Sequence, residues 1–264
     1  MRVIYTRNIY IYTDVFMEKI VYYLSPSSFC FWVKRSIDQL NSIVDQHRWE
    51  KIYCIHALVH NPKVTKEFEA RWVKFVEDIS KVNDPEAIII FSAHGTNRKV
   101  IEEAKSRYKI VYNLECPFVT KIYLEAENIL KEGISKFVYI WKEHHQEGKN
   151  IIEYIRFRGG EVVLCESREK SKNIPYDQQE RFWVLSQTTL NFSHVQNILD
   201  DIRERFPNAK LPELSDVCKA TYERQTVIMD NLDKFDTLIV IGGKESNNTK
   251  ELHDIGISNN KRTF

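Results

Sequence analysis

The chain reads as an α/β protein with mostly parallel strands. Short apolar runs alternate with segments of helical periodicity along its whole length, the pattern of strands joined by crossover helices. The strongest run, Ala87–Ala93 (AIIIFSA), is almost continuously apolar, as expected of a parallel strand covered on both faces. A weak internal repeat adds a third observation. Lys19–Lys34 (KIVYYLSPSSFCFWVK) and Lys109–Lys121 (KIVYNLECPFVTK) share a strand, a short turn, a cysteine and an aromatic-Val start of a helix. Cys218 opens a comparable third unit. Three lobes are therefore expected around a centre: residues 17–115, 116–213 and 214–264, the last one short. Residues 1–16 read as an extension, with Met17 opening a more ordinary start.

In order, Lys19–Leu24 predicts a buried strand and 25–28 a turn. Val33, Ile37, Leu40 and Val44 recur at helical spacing. Lys51–Val59 predicts a strand ending at His60, and Lys63–Glu77 a helix. After Ala87–Ala93 and its His94-Gly95 turn come a helix over 100–106 and a strand over Lys109–Leu114. Val119, Ile122, Ala126 and Ile129 mark the next helix, with Gly133 suited to its C-terminal cap. Lys136–Trp141 is a strand, followed by the polar KEHHQEGKN. Glu161–Cys165 and Arg181–Leu185 are strands. Val195, Ile198, Leu199, Ile202 and Phe206 mark a helix. Residues 209–217 form a connection, 220–232 a helix, and Thr237–Ile241 a short buried strand before a polar turn and a last helix.

Composition excludes several classes. With 264 residues and a net charge of +1, the chain has no field to gather nucleic acid or a membrane surface. No apolar run approaches the roughly 20 residues of a spanning helix. The five cysteines, an odd number, carry no export signal with them, so reduced thiols in a cytoplasmic protein are expected.

Most polar signals lie just after strand ends, where open α/β folds keep their chemistry. Cys30, Cys116 and Cys218 start one lobe each. Three thiolates are one short of a closed zinc site or a fully cysteine-ligated cluster, and would leave one iron of a [4Fe–4S] cluster open. Alternatively they are scattered small residues, as Cys54 and Cys165 inside strands are. His60, His94 and His145 each follow a strand. With Ser246, Asn247, Asn248 and Thr249 they would line a polar site suited to a phosphate or diphosphate, or else act singly as caps and solvated groups. The GGKESNNT stretch lacks the spacing of a Walker A loop. Glu147 is a candidate proton donor or a solvated charge. Thr188 and Thr189 offer a hydroxyl at the sheet edge or a cap for the following helix.

Taken jointly, FSAHG (91–95), CPFVTK (116–121), LSQTTL (185–190), FPNAKLPELSDVCKATYERQ (206–225) and IGGKESNNTKEL (241–252) resemble the 4-hydroxy-3-methylbut-2-enyl diphosphate reductases of the non-mevalonate isoprenoid route. FCFWVKR (29–35) and HALVHN (56–61) add weaker matches. The resemblance implies three α/β lobes around a central cavity, and a [4Fe–4S] cluster on Cys30, Cys116 and Cys218. It implies diphosphate contacts from His60, His94, His145, Ser246 and Asn248, with Asn247 beside them. Glu147 would relay protons with Thr188. An external reduced ferredoxin or flavodoxin would supply electrons. Departures are visible too. Ser28-Phe29-Cys30-Phe31-Trp32 stands where the family has Gly-Phe-Cys-Ala-Gly, and Trp141-Lys142 stands in place of a small Gly-His segment. A later serine loop and further strands of the third lobe have no counterpart before Phe264, so a C-terminally truncated member is expected. Such a chain either turns over or only binds cluster or ligand. A phosphate-binding α/β protein with incidental cysteines is the remaining reading.

Overall fold

A computed structural model describes residues 2–6, 9–14, 19–142, 145–212 and 216–264, with side chains from residue 20 onward. Strands β1 (Arg2–Thr6), β2 (Ile9–Asp14) and β3 (Lys19–Leu24) form an antiparallel sheet in that order. Then come α1 (Phe31–Gln46), β4 (Ile52–Ile55), α2 (Pro62–Glu69), β5 (Val73–Val76), β6 (Ile88–Phe91), α3 (Arg98–Arg107) and β7 (Ile110–Asn113). Their sheet is parallel, with strand order β5-β4-β6-β7. The second lobe holds α4 (Pro117–Lys131), β8 (Lys136–Ile140), α5 (Gln146–Phe157), β9 (Glu161–Cys165), α6 (Arg168–Ser171), β10 (Trp183–Ser186) and α7 (Phe192–Arg205). Its parallel sheet has the order β10-β8-β9. The third holds α8 (Lys219–Met229), β11 (Thr237–Leu238), α9 (Asn247–Ser258) and β12 (Arg262–Thr263), with β11 and β12 parallel.

The central strands explain the continuous apolar runs. Along β6, Ile88 and Ile90 pack with Leu40, Val44 and Phe68 from α1 and α2. Ile89 and Phe91 point the other way, to Ile101, Ala104 and Tyr108 of the α3 side. Along β8, Phe137 and Tyr139 meet α4 and α5, while Val138 and Ile140 meet α7. A strand with period-two side chains needs apolar residues at every position when both faces are covered. Each such buried side chain contributes roughly 1.5–3 kcal/mol by removal from water.

Several expectations are corrected. Lys19–Leu24 is a strand but not a buried one: Ile20 and Val21 are more than half exposed. Its partner is not another parallel strand. It pairs antiparallel with residues 9–14, which the sequence suggested were a mere extension. The strand expected over 51–59 stops at Ile55, because His56 turns the chain at φ 61°. The helix expected over 63–77 ends at Glu69. Trp72 at φ 69° then reverses the backbone, and Val73–Val76 joins β4 as a strand. Helix α5 arises in a stretch read as polar; Ile151, Ile152, Tyr154 and Ile155 supply its buried face. Thr237–Ile241 yields only two strand residues, and Ile239 and Ile241 are largely exposed. The expected lobe boundary at 213/214 and the Met17 start fall outside the described residues.

Side chains and close backbone contacts knit the lobes together. Asn150 Nδ2 donates to Gly95 O (2.9 Å). Arg224 Nη2 donates to Ser28 O (2.8 Å). A Cβ on Gly243 would lie 2.2 Å from His60 O, so only glycine lets this third-lobe loop rest on the first lobe.

Candidate active site

Each of the three expected cysteines sits at the N-cap of a helix: Cys30 before α1, Cys116 before α4 and Cys218 before α8. Pro117 suits the first turn of α4, since its missing N–H would have no intrahelical partner there. Backbone bonds tie two of the cysteines to other site segments. Cys116 N–H donates to Ala93 O (3.0 Å), next to His94, and Cys218 N–H donates to Thr188 O (2.9 Å). Burial pushes the Cys116 thiol up to about 11, against the pull of the Phe118 and Val119 amides, and Cys218 and Cys30 add to the rise. Burial also raises Cys218, Thr221 opposes, and Cys30 and Glu147 raise it further. The three thiols therefore lie within electrostatic reach of one another. Among the described residues, no three His, Cys, Asp or Glu side chains close on a single ion. Three thiols at helix N-termini, within electrostatic reach of one another, are the donor set an iron–sulfur group would use, one thiolate per iron. Cys54 and Cys165 are fully buried in strands.

The histidines converge as expected. The His60 and His94 rings lie 3.8 Å apart between centroids, and His60 and His145 lie 5.8 Å apart. His60 precedes Asn61, whose side chain caps α2 by accepting from Lys63 and Val64 N–H. His94 lies in the turn after β6, next to Gly95 at φ 86°, where a Cβ would strike Val119 Cγ1 at 2.7 Å. His145 is the N-cap residue of α5 without bonding to the helix through its ring. Burial lowers all three imidazoles, His94 well below its ordinary value and His145 to about 4. They are neutral near pH 7. His60 Nε2, His145 Nδ1 and Asn248 Oδ1 are buried with no partner among the described residues. Such orphaned polar atoms fit a site built for a polar ligand.

The start of α9 completes this wall. Ser246 caps the helix by accepting from Thr249 N–H (3.3 Å). Asn247 turns elsewhere: its Nδ2 donates to Thr189 O (2.7 Å), so it ties α9 to the second lobe. Lys250 depresses His60 and His145, which places a cation near the trio. Three buried neutral imidazoles also set an acid limit. Their folded values lie below the unfolded one near 6.5, so the unfolded state binds more protons in the window below it. The imidazoles' contribution is fully present above pH 6.5 and falls as pH drops through about 4, while the raised Glu147 runs the opposite way, so the histidine effect is read as the difference from His145→Asn. Urea unfolding of both proteins between pH 7 and 4 checks this: relative to the variant, the parent should lose stability as pH falls.

Glu147 and Thr188 meet directly. Thr188 N–H donates to Glu147 Oε1 and Thr188 Oγ1 to Oε2, both at 2.8 Å. Glu147 is buried, which excludes the solvated-charge reading. Burial pushes its carboxyl up to about 7, against the two Thr188 contacts. The cap of α7 is Asn191 and not Thr188 or Thr189. Two further buried carboxylates have no local sequence signal. Glu115 accepts from Arg98 Nη2 (2.7 Å) and Thr120 Oγ1 (2.5 Å). Asp216 accepts from Ser186 N–H (2.8 Å).

Three lobes of α/β structure around cysteine-capped helices, an imidazole trio and a buried carboxyl–hydroxyl pair define a family. The chain belongs to the LytB family, whose model, described as LytB protein, matches residues 21–264. Its relatives give that family a chemical name. A 4-hydroxy-3-methylbut-2-enyl diphosphate reductase of Wolbachia pipientis subsp. Culex pipiens is 31% identical over 240 residues, 90% of this chain and 77% of its own. One of Acinetobacter baumannii is 32% identical over 232 residues, covering 88% and 72%. The solved E-1-hydroxy-2-methyl-but-2-enyl-4-diphosphate reductase of Plasmodium falciparum superposes with a TM-score of 0.83 at 26% identity, over 91% of this chain and 74% of that one. A second solved structure, titled (E)-4-hydroxy-3-methyl-but-2-enyl diphosphate reductase, has a TM-score of 0.65 at 24% identity over 90% and 82%. It bears on the fold alone. No helix among the described residues is long and apolar enough to cross a membrane.

Proposed function

We propose that this chain reduces 4-hydroxy-3-methylbut-2-enyl diphosphate to isopentenyl and dimethylallyl diphosphates, consuming two electrons and two protons and releasing water. The observation that carries this reading is the buried Glu147–Thr188 pair, set against Cys218 through the Cys218 N–H to Thr188 O bond. It puts a proton source beside the thiols. Held by Cys30, Cys116 and Cys218, a [4Fe–4S] cluster would supply electrons and, at the iron without a cysteine, a Lewis acid for the substrate hydroxyl.

The chain's own residues do the rest. A carboxyl poised near 7 holds a proton for a large share of molecules at neutral pH. Thr188 Oγ1 donates to Glu147 Oε2 here, and a hydroxyl can equally accept, so with Glu147 protonated the bond can reverse and pass a proton through Thr188 to the departing hydroxyl. His60, His94 and His145 offer ring N–H donors, with the Asn248 amide and the Ser246 hydroxyl beside them. These groups would hold the diphosphate and so aim the allylic end at the thiols. A diphosphate among neutral imidazoles favours their protonation, which tightens the grip on binding. Asn247, also expected at the ligand, uses its Nδ2 on Thr189 O and so ties α9 to the second lobe. Reduced ferredoxin or flavodoxin is the fitting electron donor, and a cytoplasmic setting suits free thiols.

The test is anaerobic. Purified protein, reconstituted with iron and sulfide, should be brown and should convert the substrate when given dithionite, with products read by mass spectrometry. Colourless protein after reconstitution would sink the proposal. Brown protein without turnover would leave a member that only binds cluster or ligand.

A further inference from the structure

We propose that Lys142 is a positioning residue: its ion pair with Glu251 clamps the turn carrying His145 and Glu147 against the start of α9. Lys142 Nζ lies 3.2 Å from Glu251 Oε1 and 3.7 Å from Asp254 Oδ2, across the junction of the second and third lobes. The Glu251 side chain is only 10% exposed. Lys142 also holds the third site segment. Its backbone N–H donates to Gln187 Oε1 (3.1 Å), and Gln187 Nε2 donates to Thr189 Oγ1 (3.1 Å). Asn247 Nδ2 closes the circuit on Thr189 O (2.7 Å). Three segments meet through these contacts: the turn before α5, the loop with Thr188, and the first turns of α9.

The sequence distances make the clamp short. Lys142 stands three residues before His145, and Glu251 three residues after Asn248. A cleft of about 550 Å³, lined in part by Lys142, Glu251, Asp254, Glu166 and His194, opens beside the ion pair. Without Lys142, Glu251 and Asp254 would lose the cation that bridges them. Burial already raises the Glu251 carboxyl, and Lys142 opposes that rise. An uncompensated buried carboxylate is costly, so α9 would move or take up a proton. Lys142 occupies a place where the family resemblance shows His, so the clamp is a feature of this chain's own residues.

The functional half of the inference rests on the proposed diphosphate site, and two readouts separate it from the clamp itself. In reconstituted Lys142→Met, calorimetry should show inorganic diphosphate binding weakened about tenfold, with the visible spectrum unchanged. Lys142→Arg should bind like the parent, and Lys142→Met/Glu251→Met should regain most of the loss. Hydrogen exchange without ligand should quicken in Lys142→Met at the first turns of α5 and α9 together. Unchanged exchange, or a double variant no better than Lys142→Met, would overturn the clamp. If the parent protein fails to bind diphosphate, the proposed function falls, and the exchange result still decides the clamp.

Discussion

Replacing Glu147 by Gln should leave the protein folded and brown while lowering turnover by about 10²–10⁴-fold, the usual worth of a positioned general acid. The substitution keeps the shape of the site. An amide oxygen in place of Oε1 still accepts from Thr188 N–H, and an amide nitrogen in place of Oε2 donates to Thr188 Oγ1. Only the transferable proton is lost. Stability provides an independent check. The wild-type carboxyl is raised from 4.5 to about 7, so the folded state holds a proton that the unfolded state has released. That contribution is fully present below pH 4.5 and is lost as pH rises through 7. Glutamine carries no such dependence. At pH 8 the variant should therefore be the more stable protein, by up to roughly 3 kcal/mol. Single-turnover assays and urea melts at pH 6 and 8 read both effects. Turnover retained in the variant would remove Glu147 from the mechanism.

What the sequence revealed and concealed follows from the range of each interaction. Strands β6 and β8 were legible because both their faces are apolar, a property written at consecutive positions. Strand β5 was not, since Val73 and Val76 continue a helical spacing and only the turn at Trp72 breaks it. Helix α5 was hidden behind a polar first turn whose Glu147 and Asn150 are buried, the first against Thr188 and the second against Gly95 of the first lobe. The cysteines and histidines could be picked out as residue types following strand ends. Their convergence was only one of two readings open in the sequence, because it depends on contacts such as Gly243 on His60 and Asn150 on Gly95, far apart in the chain. Glu115, Asp216 and Glu251 carry no local sequence signal. Only burial singles them out, and burial is a tertiary property.

The electrostatics of the site have one theme: groups that could be charged are kept near neutrality. The imidazoles are depressed, and Glu147, Cys116 and Cys218 are raised, with burial the leading cause in each. A site of this kind binds weakly to nothing in particular until a charged ligand arrives. A dianionic or trianionic headgroup favours the imidazolium forms, and a cationic metal centre favours the thiolates. Each ligand thus reverses the local penalty, so cluster and substrate are expected to add to the protein's stability when they bind.

The cysteines make the sharpest contrast of all. Serine, threonine, aspartate and asparagine are the side chains that cap helices well. Yet α1, α4 and α8 all begin on cysteine. Only Cys30 makes a capping contact, from Val33 N–H at 3.4 Å, and Cys116 and Cys218 make none. Local helix stability therefore does not account for these three residues. Changing Cys218 to Ser should abolish the brown colour and with it all turnover. The unreconstituted variant should unfold at the same urea concentration as the unreconstituted parent, or slightly higher, because the new hydroxyl can cap α8 for about 0.5–1 kcal/mol. Cys54→Ser should behave in the opposite way. Cys54 is fully buried in β4, so a hydroxyl there would destabilise the fold and leave the colour of the surviving folded protein intact. Absorbance after anaerobic reconstitution, read beside the two urea midpoints, separates ligands from core filler. Colour retained in Cys218→Ser would take Cys218 out of the metal centre.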